Sequence, residues 1–180
     1  MSGGHAPPSR PEATRDRLRA AEAGQHPSTR SSGKAKGSRS SNPRRRAREF
    51  IVQGLYQWQV GGQDAAAIRL QAENVAGFDR ADPDLYTTVL GQTLQNAEGL
   101  KLDLAPHIDR VWNEVSPIER SILLLAACEL TLHPETPYRV IINEAIELAK
   151  TFGGTDGHKF VNGVLDKLAP RLRPDEAGSR

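Results

Sequence analysis

The chain has 180 residues, with 24 Lys+Arg against 22 Asp+Glu, 37% hydrophobic residues and one cysteine. That length supports one ordinary domain with a core and leaves a surplus segment. A single cysteine excludes an intramolecular disulfide and no run approaches the roughly 18 apolar residues of a membrane span, so a cytoplasmic protein is expected.

The net charge of +2 hides a division. Up to Arg48, twelve basic residues stand against Glu12, Asp16 and Glu22, a surplus of nine; from Glu49 onward twelve basic residues face nineteen acidic ones, a deficit of seven. Residues 1–43 carry only Met1 and Leu18 as large apolar side chains. Ordering a backbone costs about 1–2 kcal/mol per residue, which such a segment has no apolar surface to offset. A disordered basic arm over 1–43 is therefore expected. It either helps to grip a polyanion or merely solubilises the chain.

Asn42-Pro43 closes the arm, and Arg44-Arg45-Arg46-Ala47-Arg48 opens the first helix, whose apolar stripe is Ala47, Ile51, Leu55 and Trp58. It stops near Gly61-Gly62. Arginines at the positive end of a helix dipole are unfavourable by roughly 0.3–1 kcal/mol each, which points to anion binding rather than stability. A weaker helix follows over Asp64–Phe78, with Ala65, Ile68, Ala72 and Val75. Asp82-Pro83 is an N-cap with proline at the first helical position, and Leu85, Val89, Leu90, Leu94 and Ala97 carry that helix to about Gly99. Asp103–Glu114 reads as another short helix. Ser116-Pro117-Ile118-Glu119 is a capping box, and the run ILLLAACELTL behind it is apolar all round, so 117–132 belongs at the centre of a bundle.

Residues 138–168 describe two helices joined at Gly153-Gly154. Ile142, Ala145, Ile146 and Ala149 mark the first; Phe160, Val164, Leu165 and Leu168 mark the second, which Pro170 stops. Either glycine suits a left-handed helix end, and Asp156 suits an N-cap whose carboxylate accepts backbone N–H groups. No run alternates with period two, so an all-α bundle of about seven helices over 44–172 is predicted, with a flexible tail at 173–180.

Catalytic chemistry is missing. The five histidines form no zinc-binding pair, and Cys128 lies in an apolar run where it reads as a small buried hydrophobe. Gly153–Lys159 lacks the ending of a phosphate loop and follows a helix rather than a strand. Glu144 and Glu147 read as a solvated helix face. No catalytic residue, metal or cofactor is expected, and the chain is read as not an enzyme.

Three blocks, RRRAREFIVQGLYQWQ at 44–59, SPIERSILLLAACEL at 116–130 and PYRVIINEAIELAKTFGGTDGHKFVNGVLDKLAP at 137–170, resemble the transcription antitermination factor NusB family. The resemblance spans about 130 residues. It implies an all-helical bundle in two subdomains that binds boxA-type single-stranded RNA together with NusE, a ribosomal protein of the small subunit. In that role it would serve the RNA polymerase antitermination complex and promote readthrough of terminators, notably in ribosomal RNA operons. A homodimer is also compatible with it. The family pattern places RNA contacts on Arg45, Arg46, Arg48 and Tyr56, and around the glycine corner on Asp156, Lys159 and Phe160; Glu119 falls on the partner-binding surface.

Physical reasoning accommodates these roles beside plainer ones. Single-stranded RNA is held by cations on phosphates and by rings under bases. Tyr56 and Phe160 also fit core positions, and Asp156 fits a simple helix cap. Because the body after Arg48 is acidic, the corner is expected to form one wall of a site whose other wall is the arginine cluster. The competing reading is a helical protein-interaction module whose arm only tethers or solubilises.

Overall fold

The computed structural model describes residues 42–177, and every statement below concerns these residues. The disorder expected over 1–43 lies outside them except at its edge. Asn42 caps the first helix, α1 (Pro43–Gly61), by accepting from the Arg44 N–H at 3.0 Å, and Pro43 sits in its first turn. The helix therefore starts one residue before the arginines, because Asn-Pro is itself a helix start. Gly62 ends it in the left-handed conformation.

The second helix, α2 (Ala65–Glu73), is capped by Asp64, buries only Ile68 and Ala72, and ends five residues before Phe78. Ala65 and Val75 of the expected stripe are exposed. The next helix, α3 (Pro83–Leu104), runs past Gly99, since Leu100 and Leu104 continue its buried face. In place of the helix expected over Asp103–Glu114 there are two single 3₁₀ turns, Ala105–His107 and Trp112–Glu114. Leu104 was the end of α3 rather than the start of something new, and Pro106 stops helical continuation behind it.

The fourth helix, α4 (Pro117–Leu132), is buried continuously from Ser121 to Leu130 and packs against α1, α3, α5 (Tyr138–Phe152) and α6 (Gly157–Leu172). One core cluster runs through all of them, so α4 joins the N-terminal and C-terminal halves of the bundle. Cys128 lies inside it with no exposure, and burial pushes its thiol up to about 11. No strand occurs among the described residues, and no helix is long and apolar enough to cross a membrane.

The segment read above as a flexible tail is described as far as Ala177. Arg173, the C-cap of α6, is 9% exposed and immediately precedes a short helix, α7 (Pro174–Ala177). Its guanidinium donates to the carbonyls of Glu129, Leu130 and His133 at 3.0, 2.6 and 2.8 Å, and to the Glu176 carboxylate at 2.6 Å. The last carbonyls of a helix have no partner within the helix. Arg173 supplies one for α4, and this anchors the start of the tail.

Candidate nucleic-acid interface

The four arginines that open α1 are not equivalent. Arg45 donates through Nε and Nη2 to both carboxylate oxygens of Glu144 at 2.9 and 2.7 Å, bridging α1 to α5. These hydrogen bonds, against a smaller cost of burial, hold its guanidinium above the ordinary range. Arg48 makes the same two-pronged pair with Glu129 at 2.9 and 2.7 Å, with both side chains almost fully buried. Burial works against the Arg48 charge, but the hydrogen bonds and charge of Glu129 outweigh it. Arg46 is half-buried, with Nη1 packed beside Gly77. Arg44 is 64% exposed and lies 3.8 Å from Asp82.

Arg48 is read above as an RNA contact; in the fold the Nε–Nη2 edge of its guanidinium is committed to Glu129 inside the bundle, and a phosphate would have to break that buried ion pair. The helix-dipole argument failed for the same reason. It weighed the arginines against their own helix, whereas Glu129 and Glu144 lie 81 and 99 residues further along the chain.

The glycine corner is built differently from its prediction. Gly153 has φ −84° and ψ 176°, an extended conformation, and Gly154 is not left-handed either. Glycine is required at 153 by a close approach, since a Cβ there would lie 2.6 Å from the Ala149 carbonyl oxygen. Asp156 caps α6 through its backbone alone: its side chain makes no cap hydrogen bond and instead lies 2.9 Å from Lys159 Nζ. The physical cause is its backbone, at φ −109° and ψ 6°, which is not the extended conformation that aims a cap side chain at the helix N–H groups. Asp156 and Lys159 are both largely exposed.

Glu119 reaches this corner. Its carboxylate accepts from Ser116 Oγ at 2.8 Å, and a Cβ on Gly157 would come within 2.9 Å of its Oε1. Bare glycine at the start of α6 thus lets the start of α4 pack against it. Phe160 is half-buried against the core, with the Arg110 guanidinium 4.8 Å from its ring centroid. Arg110 thus occupies one approach to this ring.

The helix directions place these groups along one line. Arg48 pairs with Glu129 near the end of α4, whereas Gln59 donates to Ser121 near its beginning at 2.7 Å, so α1 runs antiparallel to α4. Glu144 and Gly153 are nine residues apart on α5, about 14 Å at 1.5 Å per residue. The arginines and the corner are therefore not two walls of one pocket; they lie at different levels of the bundle. Eleven residues of α1 turn through about 20° net, so Tyr56 lies on the same stripe as Arg45 and is carried toward the level of Glu119 and the corner. Tyr56 is 41% exposed, so the core reading is excluded for it. Arg45, Tyr56, Lys159 and Phe160 offer partly or fully exposed cationic and aromatic groups at successive levels.

One surface was missed in the sequence. Trp58, Gln59, Lys101, Trp112, Arg120 and their neighbours line a cleft of about 350 Å³. Arg120 Nε is buried there without a hydrogen-bond partner. Trp58 had been placed on a buried stripe and Arg120 on no stripe at all. The only available signal was two tryptophans among nine aromatics in an otherwise aliphatic chain.

The NusB family model matches residues 45–170, more than half of the chain. The protein belongs to the NusB family. It is 57% identical over 137 residues to the transcription antitermination protein NusB of Dechloromonas aromatica, covering 76% of this chain and 84% of that one. It is 55% identical over 136 residues to the protein of the same name from Aromatoleum aromaticum, covering 76% and 94%. Among solved structures, T. maritima NusB superposes with a TM-score of 0.66 at 27% identity, over 76% of this chain and 97% of that one. A structure of the antitermination factors NusB and NusE with double-stranded RNA shares the fold at a TM-score of 0.61 and 20% identity, over 72% and 97%. The matched region begins inside the arginine cluster and ends at Pro170, so it leaves out the arm, Arg44 and the Arg173 anchor.

Proposed function

We propose that this chain is a transcription antitermination factor of the cytoplasm, not an enzyme, which binds boxA-type single-stranded RNA together with NusE. One observation carries the reading. The chain matches proteins named for antitermination at more than half of its aligned positions, over nearly the whole length of some of them. The surface supports it: Lys159 is an exposed cation for a phosphate, Arg45 keeps 38% of its side chain exposed beside its pair with Glu144, and Tyr56 is an exposed ring for a base. The cleft between Trp58 and Trp112, with the orphaned Arg120 and Glu119 next to it in sequence, suits the protein partner. Buried aromatic and arginine anchors are the residue types that dominate protein interfaces.

The test is binding of boxA RNA and a scrambled RNA at two salt concentrations, with and without NusE. Tighter, salt-dependent binding of boxA in the presence of NusE is expected. If NusE binds but RNA adds nothing to the complex, the chain is a protein-interaction module instead. The arm, with most of the positive surplus, supplies a sequence-independent share. Deleting residues 2–42 is expected to weaken boxA and scrambled RNA by similar factors, and a loss of discrimination would assign base reading to the arm.

A further inference from the structure

The cations of α6 are arranged unlike those of α1. Lys159, Gly163, Lys167 and Arg171 recur every four residues, a stripe that climbs about 18 Å at 1.5 Å per residue while winding about a third of the way round the helix. Lys167 and Arg171 are exposed, and neither is paired with an acid among the described residues. Of the acids nearby, Asp109 lies 2.8 Å from Arg110, Asp156 pairs with Lys159 of the stripe itself, and Asp166 accepts from the neutral Asn162 amide at 2.9 Å. Beside the stripe is a groove of about 160 Å³, lined by His107, Asp109, Lys159, Phe160, Gly163 and Lys167.

Two features bear on what this groove can hold. His107 Nε2 is buried without a hydrogen-bond partner. Burial first, then the charges of Arg171 and Lys167, push its imidazole below the ordinary range, so both cations act on the same point. Gly163 has open space where a Cβ would stand, which keeps the stripe flat at its middle.

We infer that the groove between His107 and the Lys159–Arg171 stripe of α6 is a track for the phosphodiester backbone of RNA flanking the recognised element. It begins at the corner and leads away along α6. The inference rests on the proposed RNA-binding role and extends it to a part of the surface that reads no bases. Lys167 meets one phosphate beside the His107 ring, and Arg171 meets a later one. Phe160 lines the groove, and the Arg110 guanidinium, 4.8 Å from its ring centroid, offers a flat face to a nucleotide there.

The experiment uses the full chain with NusE and two RNAs, boxA alone and boxA extended by about six nucleotides at either end. The parent is expected to bind one extended RNA roughly tenfold more tightly than boxA alone at low salt. Lys167→Ala with Arg171→Ala should abolish that gain and leave boxA alone unaffected. Its salt slope on the extended RNA should fall by about 1.4, the loss of two phosphate contacts at about 0.7 each. Both side chains are exposed, so thermal unfolding of the double variant should match the parent. An equal gain in parent and variant overturns the inference, as does a parent that binds all the RNAs equally. Loss of NusE binding without RNA would assign the face to protein and overturn it too. A parent that binds no RNA at all instead removes the proposed function itself.

Discussion

The two basic regions of the described fold, the start of α1 and the outer face of α6, look alike in a charge count and differ in what the charges touch. At α1 the guanidinium groups of Arg45 and Arg48 each grip a carboxylate on another helix through two hydrogen bonds, and Arg48 is 3% exposed. On α6, Lys167 and Arg171 face solvent with no acid partner among the described residues. A run of arginines at a helix start is thus partly a fastening device, while a more dispersed set of cations leaves its field available. Available charge, not total charge, decides where a polyanion settles.

The largest expected effect tests the fastening half of that contrast. Arg48→Ala leaves the Glu129 carboxylate buried and uncompensated, and should destabilise the fold by about 3–5 kcal/mol in chemical unfolding. Arg48→Met combined with Glu129→Leu removes both charges and should recover most of that loss. A stable Arg48→Ala variant that specifically loses RNA would instead make the arginine end a binding site and erase the difference between the two regions. Arg173→Ala comes next. It strips the carbonyls of Glu129 and Leu130 in α4, and of His133 just beyond it, of a donor, at about 1–3 kcal/mol, with RNA affinity at a permissive temperature unchanged.

Much of the fold was legible because its signals are local. Asp64, Asp82 and Ser116 each accept from a backbone N–H at the start of the helix they announce, and the unbroken apolar run of α4 placed it at the centre. What was not legible is pairing across the chain. Nothing in the sequence near Arg48 names Glu129, and nothing in Arg173 names the end of α4. The site divides along the same line. Tyr56 and Lys159 are exposed as an RNA contact requires, whereas the buried Arg48 and the missing side-chain cap at Asp156 depend on long-range packing and on a backbone angle. Periodicity gave Leu104 to the wrong element because two helical patterns meet there without a gap.

The exposed ring of α1 offers the next test. Tyr56→Ala should weaken boxA binding by about 1–3 kcal/mol if a base stacks on it, with little effect on stability. A similar loss for boxA and scrambled RNA would mean stacking without sequence preference. Loss of stability instead would mean that its buried part matters more than its exposed part.

The smallest effect is the sharpest, because two readings of one residue predict different numbers. An aspartate that caps a helix through its side chain is worth about 0.5–2 kcal/mol. Asp156 makes no such bond and shares an exposed ion pair with Lys159, so Asp156→Ala should change stability by no more than about 0.5 kcal/mol. Removing the carboxylate also releases Lys159 from a 2.9 Å partner at the head of the α6 stripe. Scrambled RNA should then bind slightly better at low salt, while boxA gains less or loses affinity if the carboxylate accepts from a base. A destabilisation above about 1 kcal/mol would restore the side-chain cap. Equal gains for both RNAs would leave Asp156 as a brake on Lys159, and the α6 face as a purely electrostatic surface.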